Sequence, residues 1–292
     1  EFELYQSRST LQDTAELITS ASVSAIGFEA SHVTVQQAQE LQRIAGVSWQ
    51  PLNHPLEPMR MVKSEAEISV IQAAAAITDA AMGRLPDLAL PGISEAALAW
   101  KLESFMRGLG ASGLAFSPII AFGPNSARPH HSPGDRKLQQ GDILLVDIGA
   151  QINGYHSDLT RTFFYGKTAD QRFQEIFDIV LAAQTAALAK IKAGTNTKEA
   201  HLVAAGVIAD AGYGEQFSHG LGHGLGLEIH EIPFLSSSRP PQTVENNATI
   251  TIEPGIYIPG WGGVRIEDLA LVTREGTKTL SHSPIEPRLI FP

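Results

Sequence analysis

Apolar positions recur at the spacing of a helix in several stretches of the chain, with short β-rich runs between them. Near the start, Val23–Phe28 and Val47–Leu52 read as short strands around a helix over Val33–Ile44, with Val33, Ala38, Leu41 and Ile44 as its apolar positions. One helix and two strands bury too little surface to stand alone. Residues 1–58 are therefore expected to be a partial N-terminal domain, truncated or small, that leans on the rest of the chain, on a partner subunit or on a missing upstream segment. Pro51, Pro55 and Pro58 mark a linker.

Ser64-Glu65-Ala66-Glu67 is a capping-box pattern. It opens a helix carrying Ile68, Ile71, Ala75 and Met82 on one side. A second helix from about Ser94 sets Leu98, Leu102, Phe105 and Leu109 on one face and stops at Gly110. Further helices are expected over 170–191 and 197–211, the latter ended by Gly212. Asp142–Ile148 and Tyr155–Phe164 read as strands joined by Asn153-Gly154, a strong hairpin turn. Ala248–Glu253 and Val264–Val272 form a second pair across a Gly- and Pro-rich connection. A helix-then-hairpin pattern thus occurs twice, which hints at an internal duplication, although residue identity between the halves is weak. Helices bracketing antiparallel hairpins predict an α+β fold rather than a parallel doubly wound sheet, with one large domain over 59–292.

Composition narrows the function. Hydrophobic residues make up 43% of the 292 positions and charged residues 18%, enough for a packed core and too apolar for wholesale disorder. A net charge of −10 argues against a nucleic-acid partner. With no cysteine, a disulfide scaffold, a thiolate metal site and a Cys nucleophile are all excluded. No apolar run approaches the roughly 20 residues of a membrane span, and no signal-like segment is visible. The expectation is a soluble cytoplasmic protein with no membrane partner.

The chemistry lies in the acids and histidines. If Asn153-Gly154 is a two-residue turn, position 147 faces 160 and position 149 faces 158. Asp147 and Asp158 are then diagonal neighbours on one sheet face, roughly 7–8 Å apart at Cα. Two carboxylates that close repel unless something cationic lies between them. They are either solvated strand residues or the two sides of a metal bridge. Glu253 and Glu267 are embedded in apolar strand sequence, where a carboxylate is costly unless paired or metal-bound. Arg265 and Glu267 alternate with Val264 and Ile266, so they project from the same face, and a simple Arg–Glu pair is the plainer alternative. His219, His223 and His230 fall within one Gly-rich segment whose glycines alternate at 220, 222, 224 and 226, which does not fit a dinucleotide-binding loop. Four acids and one histidine suit two divalent ions, and the oxygen-rich set favours Mn²⁺ or Co²⁺ while leaving Zn²⁺ possible.

Asp147, Asp158 eleven residues later, then His223, Glu253 in Glu-Pro-Gly and Glu267 in Arg-Ile-Glu-Asp together resemble the dinuclear metallopeptidases of the pita-bread fold. That family includes the methionine aminopeptidases, aminopeptidase P and prolidase. The resemblance covers about residues 60–292, and Arg60-Met61-Val62-Lys63-Ser64 looks like the start of that domain in the proline-specific members. It implies that Asp147 binds one metal, that Asp158 and Glu267 bridge both, and that His223 and Glu253 complete the second site. A bridging hydroxide would attack the scissile carbonyl, and Glu253 would relay the proton to the leaving nitrogen. His230 would stabilise the developing oxyanion, while His219 and Arg265 would contact substrate. His130 matches a further active-site histidine, with His131 one position away. The intact ligand set argues against the creatinase-like and non-catalytic relatives. His219 and the preceding partial domain favour the proline-specific branch over methionine aminopeptidases. The family implies a homodimer acting on proline-containing dipeptides as an Xaa-Pro dipeptidase, with an aminopeptidase P acting on Xaa-Pro-Yaa as the alternative. Arg265 is a candidate to capture the free carboxylate of a dipeptide.

Overall fold

The computed structural model describes residues 6, 10–43, 47–166 and 170–288. The chain divides into two compact units, Glu1–Pro58 and Met59–Pro292. In the first, strands Ala25–Glu29 and Ser48–Leu52 pair in parallel, with Ala25 opposite Ser48 and Glu29 opposite Leu52. Parallel neighbours need a crossover. Helix Val35–Leu41 supplies it, held at its start by a capping box between Thr34 and Gln37. Helix Thr10–Ala21 precedes this motif and was not evident from the sequence. Among the described residues of this unit only Ile18, 8% exposed, is buried, in keeping with the small area such a motif encloses. Ile44 lies outside the described residues.

The second unit is built on two helix-and-hairpin layers. Helix Glu65–Met82 starts at the expected capping box, in which the Ser64 N–H donates to Glu67 Oε2 at 2.8 Å. Helix Glu95–Gly108 buries Leu98, Leu102 and Met106. Met106 takes the place expected for Leu109, because Leu109 is the C-cap residue and is 47% exposed. These helices pack on the sheet of Ile119–Phe122, Ile143–Ile148 and Leu159–Phe164 in one apolar cluster. Helices Gln171–Lys190 and Thr197–Asp210 share a second cluster with the other hairpin. That hairpin belongs to an antiparallel sheet ordered Glu231–Leu235, Gly222–Gly224, Thr249–Ile252, Asp268–Val272, Thr277–Thr279.

Both hairpins keep one register throughout and are interrupted at their acids. Asn153 and Gly154 have φ of 49° and 85°, the left-handed pair that a tight two-residue turn requires, and Ile152 faces Tyr155 across it. Asp147 consequently faces Thr160, as the turn arithmetic demands. At Gly149 the strands come so close that a Cβ would lie 2.1 Å from the Ser157 carbonyl oxygen. In the second hairpin Thr249 faces Leu271 and Gly255 faces Arg265, and the same register sets Glu253 opposite Glu267. The expected strand Ala248–Glu253 is found as Thr249–Ile252, the expected strand Val264–Val272 is cut in two at Ile266-Glu267, and the connection itself continues the ladder as Gly255–Ile258 and Gly262–Arg265. The hairpins are laced together by Thr162, whose hydroxyl donates to the Arg265 carbonyl at 2.8 Å, and by the Glu267 N–H, which donates to the Thr160 carbonyl at 3.2 Å. No helix among the described residues is long and apolar enough to cross a membrane.

Candidate metal centre

The junction of the two hairpins brings the acids together. One carboxylate oxygen each from Asp147, Asp158 and Glu267 lie within 4.8 Å of one another, all on buried residues. Asp147 comes from strand Ile143–Ile148, Asp158 from the break before Leu159–Phe164, and Glu267 from the break before Asp268–Val272. His223 joins them from strand Gly222–Gly224, its Nε2 3.4 Å from Glu253 Oε1 and 3.7 Å from Asp158 Oδ2. They line one wall of a cleft of about 910 Å³.

The hydrogen-bonding pattern fits a cation at this point. Asp147 Oδ1 and Asp158 Oδ1 are buried without a hydrogen-bond partner, which is costly for a carboxylate oxygen. Burial pushes the His223 imidazole down to about 3, so it is neutral at physiological pH. Its Nδ1–H donates to the Gly224 carbonyl at 3.1 Å, which leaves the Nε2 lone pair facing the carboxylates. Four acids and one imidazole thus converge, with one oxygen each of Asp147 and Asp158 and the Nε2 lone pair of His223 left without a proton donor. Divalent ions satisfy such a set, and the residues present suit them.

The same crowding raises the acids. Burial pushes the Glu253 carboxyl up to about 7, and burial followed by the charges of Glu267, Asp147 and Glu253 holds Asp158 well above the carboxylate range. Glu267 is raised well above its ordinary value by burial and by Glu253 and Asp147. A carboxyl whose folded pKa exceeds its unfolded value binds more protons when folded, so stability falls as pH rises between the two values. In chelator the melting temperature is expected to fall between pH 4.5 and about 7, the ordinary and raised values of Glu253. Saturating Mn²⁺ cancels that fall, so the gap between metal-bound and chelated melting curves widens with pH. Scanning calorimetry in both conditions checks this; parallel curves would refute a cation-built site.

Around this set lies a layer that spacing alone did not show. Arg265 is 2% exposed and spends its guanidinium on protein groups. Nη2 donates to Asp147 Oδ2 at 2.7 Å, Nε to the Thr160 hydroxyl at 3.0 Å, and Nη1 to the Tyr257 hydroxyl at 2.8 Å. The Thr160 hydroxyl donates in turn to Glu267 Oε2 at 2.6 Å. Arg265 and Glu267 therefore do share a face, but the partner of the arginine is Asp147. Tyr257 donates to His219 Nε2 at 2.9 Å, while His219 Nδ1–H donates to the Gly220 carbonyl at 2.7 Å. Both ring nitrogens of His219 are thus engaged within the protein, although the ring borders the cleft. Burial, then the nearby Arg265, lowers that imidazole to about 4.

The neighbouring histidines separate in the same way. Glu95 is fully buried and accepts from the Phe122 N–H, the Asn125 amide, His131 Nε2–H at 2.8 Å and the Gly134 N–H. Burial alone would raise this carboxyl, but its four donors hold it below the ordinary value. His131 is therefore tied to the scaffold, and His130 is the exposed histidine at the cleft. His230 also lines the cleft, its ring 4.3 Å from that of His223 in an edge-to-face contact. Phe116, Ile119, Ile229 and Phe234 give the cleft apolar walls, and Arg239 lies over the Phe234 ring at 4.0 Å. None of these wall residues was singled out from the sequence, because isolated apolar residues and a loop arginine carry no spacing signal.

The model of metallopeptidase family M24 matches residues 69–274. The chain belongs to the M24 metallopeptidases. The uncharacterised peptidase YqhT of Bacillus subtilis is 40% identical to this M24 chain over 279 residues, 95% of the chain and 78% of the relative. Among solved structures, an Xaa-Pro dipeptidase from Bacillus anthracis superimposes with a TM-score of 0.93 at 37% identity, covering 97% of this chain and 79% of the other. An X-Pro aminopeptidase from Thermotoga maritima gives 0.91 at 33% identity, covering 98% and 81%. The pita-bread α+β fold is thus shared, and these neighbours carry the names of proline-specific enzymes. M24 membership makes the chain a metallopeptidase that uses divalent metal ions, in agreement with the buried acid cluster.

Proposed function

We propose that this chain is an exopeptidase with two divalent ions that hydrolyses the Xaa-Pro bond, acting as an Xaa-Pro dipeptidase. The observation that carries the reading is the convergence of Asp147, Asp158 and Glu267 within 4.8 Å, with neutral His223 and Glu253 beside them, in the wall of one cleft. Asp147, Asp158, His223, Glu253 and Glu267 would hold the ions, and the oxygen-rich donors favour Mn²⁺, with Co²⁺ or Zn²⁺ accommodated. A pair of divalent ions bound there supplies Lewis acidity at the scissile carbonyl and an activated water near neutral pH. Glu253, raised towards neutrality by burial, is suited to carry a proton from its Oε to the departing proline nitrogen. His230, exposed at the cleft beside His223, is positioned to donate to the carbonyl oxygen as charge develops on it, with His130 at the same cleft. Burial lowers the His230 imidazole, so its neutral Nε–H or Nδ–H tautomer is the donor.

The apolar walls suit a pyrrolidine ring. A free carboxylate beyond it needs a cation, and the guanidinium of Arg265 is already committed to Asp147, Thr160 and Tyr257. Arg239, exposed at the cleft and supported by Phe234, is the better candidate. The test is Mn²⁺-dependent release of the first residue from Ala-Pro and Ala-Pro-Ala, each with Arg239→Ala alongside. The dipeptidase cuts Ala-Pro, and Arg239→Ala raises its KM about tenfold, the worth of one charge-assisted contact. Preferred turnover of Ala-Pro-Ala identifies an aminopeptidase P, the reading favoured by the Thermotoga maritima neighbour. Cleavage of Met-Ala-Ser but neither proline peptide rejects proline specificity while leaving the metal site standing.

A further inference from the structure

The segment Arg60-Met61-Val62-Lys63-Ser64 carries two cations that neither the candidate metal centre nor the cleft accounts for. Both converge on Glu231. Arg60 donates to Glu231 Oε1 through Nε at 3.2 Å and through Nη2 in a very short contact. Lys63 Nζ donates to Oε2 at 3.3 Å, and the Glu228 N–H donates to Oε1 at 3.0 Å. Arg60 also reaches Glu228 Oε1 at 3.4 Å. Glu231 is buried and Lys63 is 2% exposed, so these contacts sit largely away from water, where charge-assisted hydrogen bonds hold geometry firmly.

What this carboxylate ties down is the stretch 225–230, which forms neither helix nor strand. The start of the stretch is fixed at buried Leu225, whose N–H donates to the Thr249 carbonyl at 3.1 Å and whose carbonyl accepts from the Thr249 hydroxyl at 2.6 Å, and at Gly226, whose carbonyl accepts from the His156 N–H at 2.9 Å and from His156 Nδ1–H at 3.0 Å. Its last residue is His230, next in sequence to Glu231. We propose that Arg60, Lys63 and Glu231 are positioning residues for His230, holding its imidazole at the cleft in the orientation that carbonyl polarisation requires. This inference rests on the role assigned to His230 above. It predicts an effect that a clamp serving only the fold would not produce: the loss on breaking the cluster disappears once His230 is gone.

A double-mutant cycle on the Mn²⁺-loaded protein with Ala-Pro tests it, using Glu231→Gln, His230→Ala and the pair. Glu231→Gln is expected to lower kcat about 10–100-fold, the usual cost of losing an outer positioning partner, with KM little changed. Its metal content by mass spectrometry and its Mn²⁺ titration by calorimetry stay at wild-type values. In the His230→Ala background Glu231→Gln has no further effect. The same fold-loss in both backgrounds, or loss of bound metal in Glu231→Gln, overturns the proposal. A His230→Ala protein with wild-type kcat instead overturns the role of His230 itself, whatever Glu231→Gln does. Should Glu231→Gln fail to fold, Arg60→Ala, at a partly exposed position, carries the same cycle with an expected loss of about three- to tenfold.

Discussion

Glu267→Ala is expected to abolish turnover of Ala-Pro, with kcat/KM reduced on the order of 10⁴-fold or more, because the proposed function makes Glu267 one of the residues that would hold the ions rather than adjust them. Glu267 supplies the carboxylate that approaches both Asp147 and Asp158, and its other anchor is the Thr160 hydroxyl at 2.6 Å. Without it two acids from one hairpin face a single acid from the other and the imidazole of His223 on strand Gly222–Gly224. The loss is not one of folding. Glu267 is held well above the ordinary carboxylate range by burial and by Glu253 and Asp147, so its removal relieves repulsion in the metal-free protein. Metal content should fall with activity while the chelated protein melts at or above the wild-type temperature. Glu231→Ala, which cuts the tie to Arg60 and Lys63, keeps its ions and loses far less. Equal losses in the two variants, or a Glu267→Ala protein that retains both ions, would overturn the ligand assignment.

The part of this site that could be read from the sequence is the part set by local register. Asn153-Gly154 fixes a two-residue turn, the turn fixes Asp147 opposite Thr160, and the period of two then brings Asp158 to the same face. Glu253 and Glu267 stood out because an acid in apolar strand sequence demands a partner. Partners supplied from far along the chain did not stand out. Arg265 had Glu267 as its evident local partner and, from the resemblance, a contact to substrate; its carboxylate is instead Asp147, 118 positions earlier. The choice between His130 and His131 depended on Glu95, whose own sequence context is merely the first turn of a helix. Leu109 was assigned to the core on periodicity, which does not register that a helix ends one residue too soon. Helix Thr10–Ala21 was passed over although Leu11, Ala15 and Ile18 stand at helical spacing, and it buries little among its described residues.

Asp158→Asn is expected to separate stability from function. Asp158 is crowded by the other acids: burial comes first, then the charges of Glu267, Asp147 and Glu253, with Arg265 acting in the opposite sense. Asparagine keeps the volume, removes the charge and offers two N–H donors to neighbouring oxygens, among them the unpartnered Asp147 Oδ1. In chelator at alkaline pH, as the crowded wild-type acids lose their protons, the variant should melt several degrees higher than wild type, since even about 2 kcal/mol is worth that much in a protein of this size. As pH falls towards 4.5 the wild-type carboxyls take up protons, the repulsion subsides and the advantage should vanish. With Mn²⁺ the order should reverse: wild type gains stability by binding, whereas the variant, lacking one carboxylate of the proposed ligand set, gains little and loses activity by at least about 10³-fold. A site that carries strain in order to hold ions is stabilised by the substitutions that disable it. A chelated Asp158→Asn protein that melts below chelated wild type at pH 8 would show that these acids support the fold itself, and that their convergence is not built around metal.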